Sequence, residues 1–596
     1  MTRILRSVLA TAFAAALLCG CTPIAADTQF FGKTVPPEGQ VMRYISGSEP
    51  ESMDPHTSSG QPEARLYMAL YEGLVEMAPK TAQPIPAIAE SWEANEDNSE
   101  FTFHMRKNAR FSNGDPIKAQ DFVWSLRRAL SPALAARSAY MSFPVRYAQA
   151  YNEHGSFVRD MKTGEFEMEP NSPIRKTVGP DTKVPEGKEL VPVKAEDVGI
   201  EALDDYTVKY KLMQSAPYFV GLITHQFFRV LHRGTIERYG DVDWTDPKNI
   251  VTSGAFKLKA WAPYDKIVLV RDPMYWDAAT VKLEELRFYP LEDTNSMMNL
   301  YKSGDVDAIY NHTIPTPWLE SIVPMKDYMG APEMANTYVQ INTQKAPMND
   351  VRVRRAFGLA VDRKTLARFL HTAKPISSFV PTGIFPGYPV VSGFDFDPDR
   401  AKALLAEAGY RDSGGKFDPS RFPVKDIEYT YNTTERNRHI AEFLQAQWRQ
   451  HLGLTIPLKN MEWKTFLNYR AKLEYRGVVR GAWVADYLDP FSFLNIFSTP
   501  TGDNGTGWWD RKYVDMLNEA NRMTDPAKRF EKLAEAEKML LESGAVIALF
   551  AESTDWMKKP YVKGMYPNPG TLHAWKYVYI EHDPSKWDYG MPSMQY

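Results

Sequence analysis

Cysteine is nearly missing from this chain: there are two in 596 residues, Cys19 and Cys21. Everything after position 21 is free of thiols, which excludes a disulfide framework and any cysteine-ligated metal from the body. No surplus of one charge sign exists either. Lys and Arg total 70 against 74 Asp and Glu, a net charge of −4, so there is no global basic footprint for nucleic acid and no polybasic block for anionic lipid. Long apolar runs are scarce. Val8 to Leu18 is eleven residues, well short of the ~20 that span a bilayer, and no other run approaches eighteen. The phosphate-loop, dinucleotide, zinc-protease and serine-hydrolase signatures are all absent, which lowers the case for an enzyme, and neither cofactor nor metal is expected. No period of 20–50 residues recurs, so solenoids and propellers are out.

What is present has globular proportions, with 44% hydrophobic and 24% charged residues. The length allows about three to five domains or one multi-lobed body. Aromatics reach 13%, including 31 Tyr and 14 Trp; this fits a cleft that recognises ligands with flat amphipathic rings, or equally an aromatic-rich core.

Arg3 and Arg6 ahead of the apolar run read as an export signal. Leu18-Cys19-Gly20-Cys21 resembles the bacterial lipoprotein box, which makes Cys21 the expected lipidated N-terminus of the mature chain, with Thr22 compatible with release from the inner membrane. Residues 22–42, with Thr34-Val35-Pro36-Pro37, read as a flexible stalk.

Strand-like and helix-like segments alternate beyond it, giving an α/β body. Phe101–Met105 and Ile267–Val270 are β-type runs. Asp397-Pro398 followed by Arg400–Ala408 and Gly409 has the cap, first-turn proline and glycine stop of a helix. A second helix is expected from about Thr434 to Leu452, with further ones at 351–360 and 526–541. Asp395, Asp397 and Asp399 share the spacing of a calcium loop, but Pro398, Arg400 and Ala406 break that pattern and favour the helix cap. His104 and His439 have no partner at metal-ligand spacing. The polar stretch Tyr151–Lys194 reads as a surface excursion.

A dense polar and aromatic tract remains: Arg470, Arg480, Trp483, Asp486 and Tyr487. Residues 478–487 read as a strand running into a loop. Period two puts Val479, Gly481 and Trp483 on one side and Val478 and Arg480 on the other. Both charge signs beside a tryptophan suit a cleft that grips a zwitterion.

The chain as a whole resembles the extracellular solute-binding proteins of bacterial ABC importers, in the peptide-binding family and its oligopeptide-binding branch. The blocks that carry this are Ser52-Met53-Asp54-Pro55-His56, Leu70-Tyr71-Glu72-Gly73-Leu74, Ala89-Glu90-Ser91-Trp92, Phe111-Ser112-Asn113-Gly114-Asp115-Pro116, Thr252-Ser253-Gly254-Ala255-Phe256, Asn349-Asp350-Val351-Arg352 and Glu462-Trp463-Lys464-Thr465-Phe466. The resemblance implies a two-lobed periplasmic-binding-protein clamshell with three domains and a hinge. A discontinuous first domain (43–66, 216–336 and 553–596), an inserted second domain (67–215) and a third (337–552) are expected.

It implies a binder, not an enzyme, that captures short oligopeptides and delivers them to permease subunits in the inner membrane. Asp486 matches the carboxylate that pairs with a peptide's α-ammonium. Arg480 and Arg470 match pocket arginines, Arg480 facing the carboxylate end, and Trp463 and Trp483 match aromatic pocket walls, with Tyr487 beside them. Backbone groups of Gly481 to Val484, and of Ser59, Gly60 and Gln61 on the other lobe, would sandwich an extended ligand. Asn437 stands where some relatives carry a histidine, and Val484 where some carry a cysteine, which removes a family disulfide. The expected molecule is a periplasmic monomer that meets the membrane only through its lipid. The same fold with another cargo (dipeptide, murein peptide, metal chelate, haem or oligosaccharide), or a surface lipoprotein with a chaperone-like role, are the alternatives.

Overall fold

Caps and stops fall where local chemistry puts them. The computed structural model describes residues 29–589 apart from 59, 137, 155, 168–183 and 501; the signal and lipidation readings at 1–21 lie outside the described residues. Asp397 Oδ1 accepts the Arg400 amide at 2.9 Å and Pro398 opens the helix Pro398–Glu407, so the Asp395–Asp399 spacing is a helix start. Thr434 Oγ1 accepts the Asn437 amide at 3.1 Å to begin Glu435–Leu452, which Gly453 ends at φ 72°. Ile440, Leu444 and Trp448 are its buried stripe. Helices Val351–Leu359 and Pro526–Ser543 form on the expected segments.

Three sheets organise three apolar cores. In the first, Val41–Gly47 pairs parallel with Glu285–Pro290, followed by the antiparallel strands Lys266–Arg271 and Phe256–Ala262. Its core gathers Tyr44, Tyr67, Tyr71, Phe288 and, from the far end of the chain, Trp556 and Trp575. The second sheet, in spatial order Ala89–Ala94, Glu100–Met105, Thr207–Lys211 and Ile200–Asp204, supports a core running from Leu74 to Val230. Ala216–Val230, expected in the first domain, therefore pack in this second core, while Tyr67–Tyr71, expected in the second, pack in the first. The reason is apolar: Phe219, Leu222, Phe227 and Phe228 bury against the inserted sheet's aromatics, as in the 5.1 Å contact of Phe219 with Phe101.

The third sheet has six strands, in the order Ala373–Pro375, Val546–Ser553, Pro332–Ile341, Gly477–Val484, Glu428–Asn432 and Leu458–Met461. Apolar groups cover both of its faces, one with Val339, Phe357, Tyr429 and Trp448, the other with Tyr338, Phe379, Phe493 and Leu540. Strands buried on both sides read as near-continuous apolar runs, and Val546–Phe550 does so.

The chain passes between the first and third cores twice, and the two passes lie side by side. Tyr328 and Met329 pair with Met557 and Trp556, and Pro332 pairs with Ser553. Two adjacent strands are the natural axis for rotation of one lobe against the other.

The stalk expected at 22–42 is corrected over its described part. Phe30 is buried, the Phe31 amide donates to both Asp327 carboxylate oxygens at 3.1 Å, and the Gln40 side chain exchanges hydrogen bonds with the Ile580 backbone at 2.8 and 3.0 Å. Two adjacent phenylalanines gain more from burial than a polar tether would.

Candidate functional site: the cleft beside the strand Gly477–Val484

The strand Gly477–Val484 has a full partner on one side only. Pro332–Ile341 pairs with it from Val478 to Val484, whereas Glu428–Asn432 pairs only at Gly477, Val478 and Val479. On its other edge Glu428–Asn432 pairs with Leu458–Met461 from Tyr429 onward, and past Thr430 that is its remaining ladder, Asn432 opposite Met461. Gly481–Val484 therefore present an edge with no ladder partner among the described residues. Gly481 lies over Tyr338, where a Cβ would come within 2.6 Å of the ring. That close approach explains the glycine. Val484 is exposed at 61%.

Opposite charges flank this edge. Beyond its end the Asp486 amide donates to Ser492 Oγ at 3.1 Å, fixing the turn, while among the described residues its carboxylate accepts only the Tyr140 hydroxyl, at 3.4 Å. The neighbouring arginines are taken: Arg529 pairs with Asp489 at 2.7 Å and Arg470 with Asp503 at 3.4 Å. Burial pushes the Asp486 carboxyl up to about 6, Tyr140 opposing and the Asp503 carboxylate adding to the rise. At the other end Arg480 Nη1 donates to Asn432 Oδ1 at 3.3 Å, and its Nε is buried without a hydrogen-bond partner among the described residues. No carboxylate pairs with Arg480 among the described residues. Burial lowers its pKa, Tyr429 and Glu552 offsetting part of that.

Asn437 donates through Nδ2 to Asn432 O at 3.1 Å and Oδ1 at 3.0 Å, so it touches Arg480 only through Asn432. Arg470, near the end of helix Trp463–Ala471, also keeps a buried Nε without a partner among the described residues. Trp463 is the first residue of that helix, and its side chain lies outside the described residues, as does all of Ser59. Gly60 precedes the helix Gln61–Leu70 on the first lobe and Gln61 is exposed. Among the described residues, neither shares a hydrogen bond with the 470–487 group.

Beside Asp486 a cavity of about 590 Å³ opens between the lobes, lined on one side by Tyr140, Phe143 and Tyr218 and on the other by Trp483, Asp486 and Tyr487; Phe143 packs on the second core, Trp483 on the third, and Tyr218 and Tyr487 on both. Trp483 Nε1 is buried there with no acceptor among the described residues. Tyr487 stacks on Tyr218 at 4.7 Å and 14°, which makes it a contact between lobes as well as a wall. Tyr140, Tyr218, Asn432 and Asp503 escaped the sequence reading. The first two lie about 270 to 350 positions from their partners, a separation that local patterning does not reveal.

This is the two-lobed fold of periplasmic binding proteins. The family described as bacterial extracellular solute-binding proteins, family 5 middle, matches residues 83–505, and the chain belongs to it. It is similar to the periplasmic oligopeptide-binding protein OppA of Salmonella typhimurium, 32% identical over 570 residues that cover 94% of this chain and 95% of that protein. It is also similar to the probable deoxycholate-binding periplasmic protein YgiS of Escherichia coli, 30% identical with 91% and 94% covered. Among solved structures, the unliganded open form of the murein tripeptide-binding protein MppA superposes with a TM-score of 0.74 at 26% identity, covering 91% of this chain and 99% of that one. The protein is thus a substrate-binding receptor of the ABC-importer type and not an enzyme.

Proposed function

We propose that this receptor captures short oligopeptides between its lobes and delivers them to the permease subunits of an importer. The observation that carries this is the edge Gly481–Val484, set between Asp486 and Arg480: among the described residues the edge has no ladder partner, the carboxylate no cation and the guanidinium no carboxylate. Four residues of strand span about 13 Å, the scale of a ligand of a few residues. An extended peptide adds to such an edge through main-chain bonds, which ignore side chains and so tolerate many sequences. Its ammonium neutralises Asp486, its carboxylate faces Arg480, and both bonds are charge-assisted. A bile-acid anion has no cation to offer and would leave Asp486 unpaired, so peptides fit better. Trp463, Arg470 and the Ser59–Gln61 backbone complete the reading as pocket wall, pocket cation and second clamp. Closure about the paired segments 328–332 and 553–557 buries the ligand, and the closed form docks on the permease. Export to the periplasm and tethering through lipid on Cys21 belong to the same reading.

The test is thermal unfolding with di- to pentapeptides, each with free and acetylated N-termini. A ligand at ~100 times its Kd adds about 2.7 kcal/mol. Stabilisation by free but not acetylated peptides supports the reading; no shift with any peptide transfers the cleft to another cargo.

A further inference from the structure

The cations along the cleft are not equivalent. Arg436 pairs with Glu552 at 2.8 Å, Arg470 with Asp503 at 3.4 Å and Arg529 with Asp489 at 2.7 Å. Arg480 instead meets an amide. Asn432 Oδ1 accepts from Arg480 Nη1 at 3.3 Å and from Asn437 Nδ2 at 3.0 Å. Asn432 is itself buried and ends the strand Glu428–Asn432 just where that strand parts from Gly477–Val484. Glu552 does not serve as a substitute partner, because it also accepts the Thr337 hydroxyl at 2.9 Å and holds Arg436.

An amide oxygen has two lone pairs, and here both are used. It steers the guanidinium and carries only a partial charge, so Arg480 keeps its full positive charge in a dry setting. A buried cation held by neutral partners is costly until an anion arrives. A carboxylate at position 432 would satisfy Arg480 from within and remove the demand for one from the ligand.

Resting on the peptide-binding reading above, we propose that Asn432, held by Asn437, is the residue that makes the site selective for a free terminal carboxylate: it positions Arg480 without neutralising it. The selected ligands are peptides, or other zwitterions of like span, that end in a carboxylate. Amidated peptides of identical sequence are rejected.

The experiment measures Kd by calorimetry for a tripeptide and its C-terminal amide, in the parent, Asn432→Asp and Asn432→Ala. The parent prefers the free acid by at least about tenfold, as a charge-assisted bond to a buried cation requires. Asn432→Asp brings acid and amide within about twofold of each other, through loss of acid affinity. Asn432→Ala weakens both ligands and keeps the acid preference, because Arg480 loses its guide and not its charge; a merely structural role would leave the acid-to-amide ratio unmoved in both variants. Since Asn432→Asp supplies an internal ion pair, its unliganded unfolding temperature is at or above the parent's, which checks folding. A parent that binds peptides without acid preference overturns the Arg480 assignment, and no binding of any peptide overturns the functional reading. A clear acid preference surviving in a folded Asn432→Asp overturns the role of Asn432 alone.

Discussion

Tyr140 and Asp486 stand 346 positions apart in the chain and on opposite lobes, and the tyrosine hydroxyl donates to the carboxylate at 3.4 Å. It is a long bond to an anion with no other partner among the described residues. A ligand ammonium arriving at Asp486 thus enters a place already framed by both halves of the molecule.

Removing that anion strands the ligand's charge. Asp486→Ala is expected to weaken free-N-terminus peptides by about 3 kcal/mol, the cost of leaving a buried partner uncompensated. N-acetylated peptides bind it no worse than they bind the parent. Calorimetry with both forms checks the pair of outcomes.

Tyr140→Phe removes one neutral donor and leaves the ring. The expected loss is about 1 kcal/mol in peptide affinity, typical of a single hydrogen bond. Because the bond joins the lobes, the loss should appear mainly as faster dissociation, measured by stopped-flow.

The elevated Asp486 pKa fixes the sign of the pH effect. A bound ammonium favours the ionised form, so affinity is full above about pH 7 and falls by up to about tenfold per unit as pH drops through the free protein's value of about 6. The unliganded protein does the reverse: its folded pKa exceeds the ordinary 3.8, so this group's contribution to stability is lost as pH rises from there to about 6. Asp486→Asn should flatten both profiles. Titrations at pH 5, 6 and 7 decide it.

His312 ties the first lobe to both crossing segments, with Nε2 2.8 Å from Glu333 Oε2 and Nδ1 3.0 Å from Asp555 Oδ1. Burial opposes its charge, but the bonds to Asp555 and Glu333 prevail and raise its pKa to about 10. Its stabilising effect is complete below about pH 6.5 and is lost as pH rises towards 10. His312→Gln should erase that segment of the unfolding-temperature profile. It should also shift apparent affinity by one common factor for all peptides, since it acts on the axis and touches no ligand.

How much of this was legible beforehand follows the range of the forces. Asp397 was readable as a cap, and Thr434 as the start of a helix, because a cap bonds two or three residues away. Asp486, Arg480 and Trp483 stood out because strand periodicity and charge are local, and the family resemblance gave them roles. Residues 29–40 misled: prolines and polar groups suggested a tether, while Phe30 is buried beside the ring of Tyr589 and the Phe31 amide is held by Asp327, some 300 positions away. The second core's limit at Val230 was missed for the same reason, since Phe219 and Phe228 find their partners across a sheet.

The sequence by itself determined the family, the helix ends, the thiol-free body and the charges that flank the cleft. Only the tertiary structure decided which of those charges are free. Whether an arginine is neutralised depends on what long-range folding sets beside it: Arg470 meets Asp503, while Arg480 meets Asn432 across a parting pair of strands. Composition counts charges, but pairing is a matter of distance, and distance between remote segments exists only once the sheet has formed.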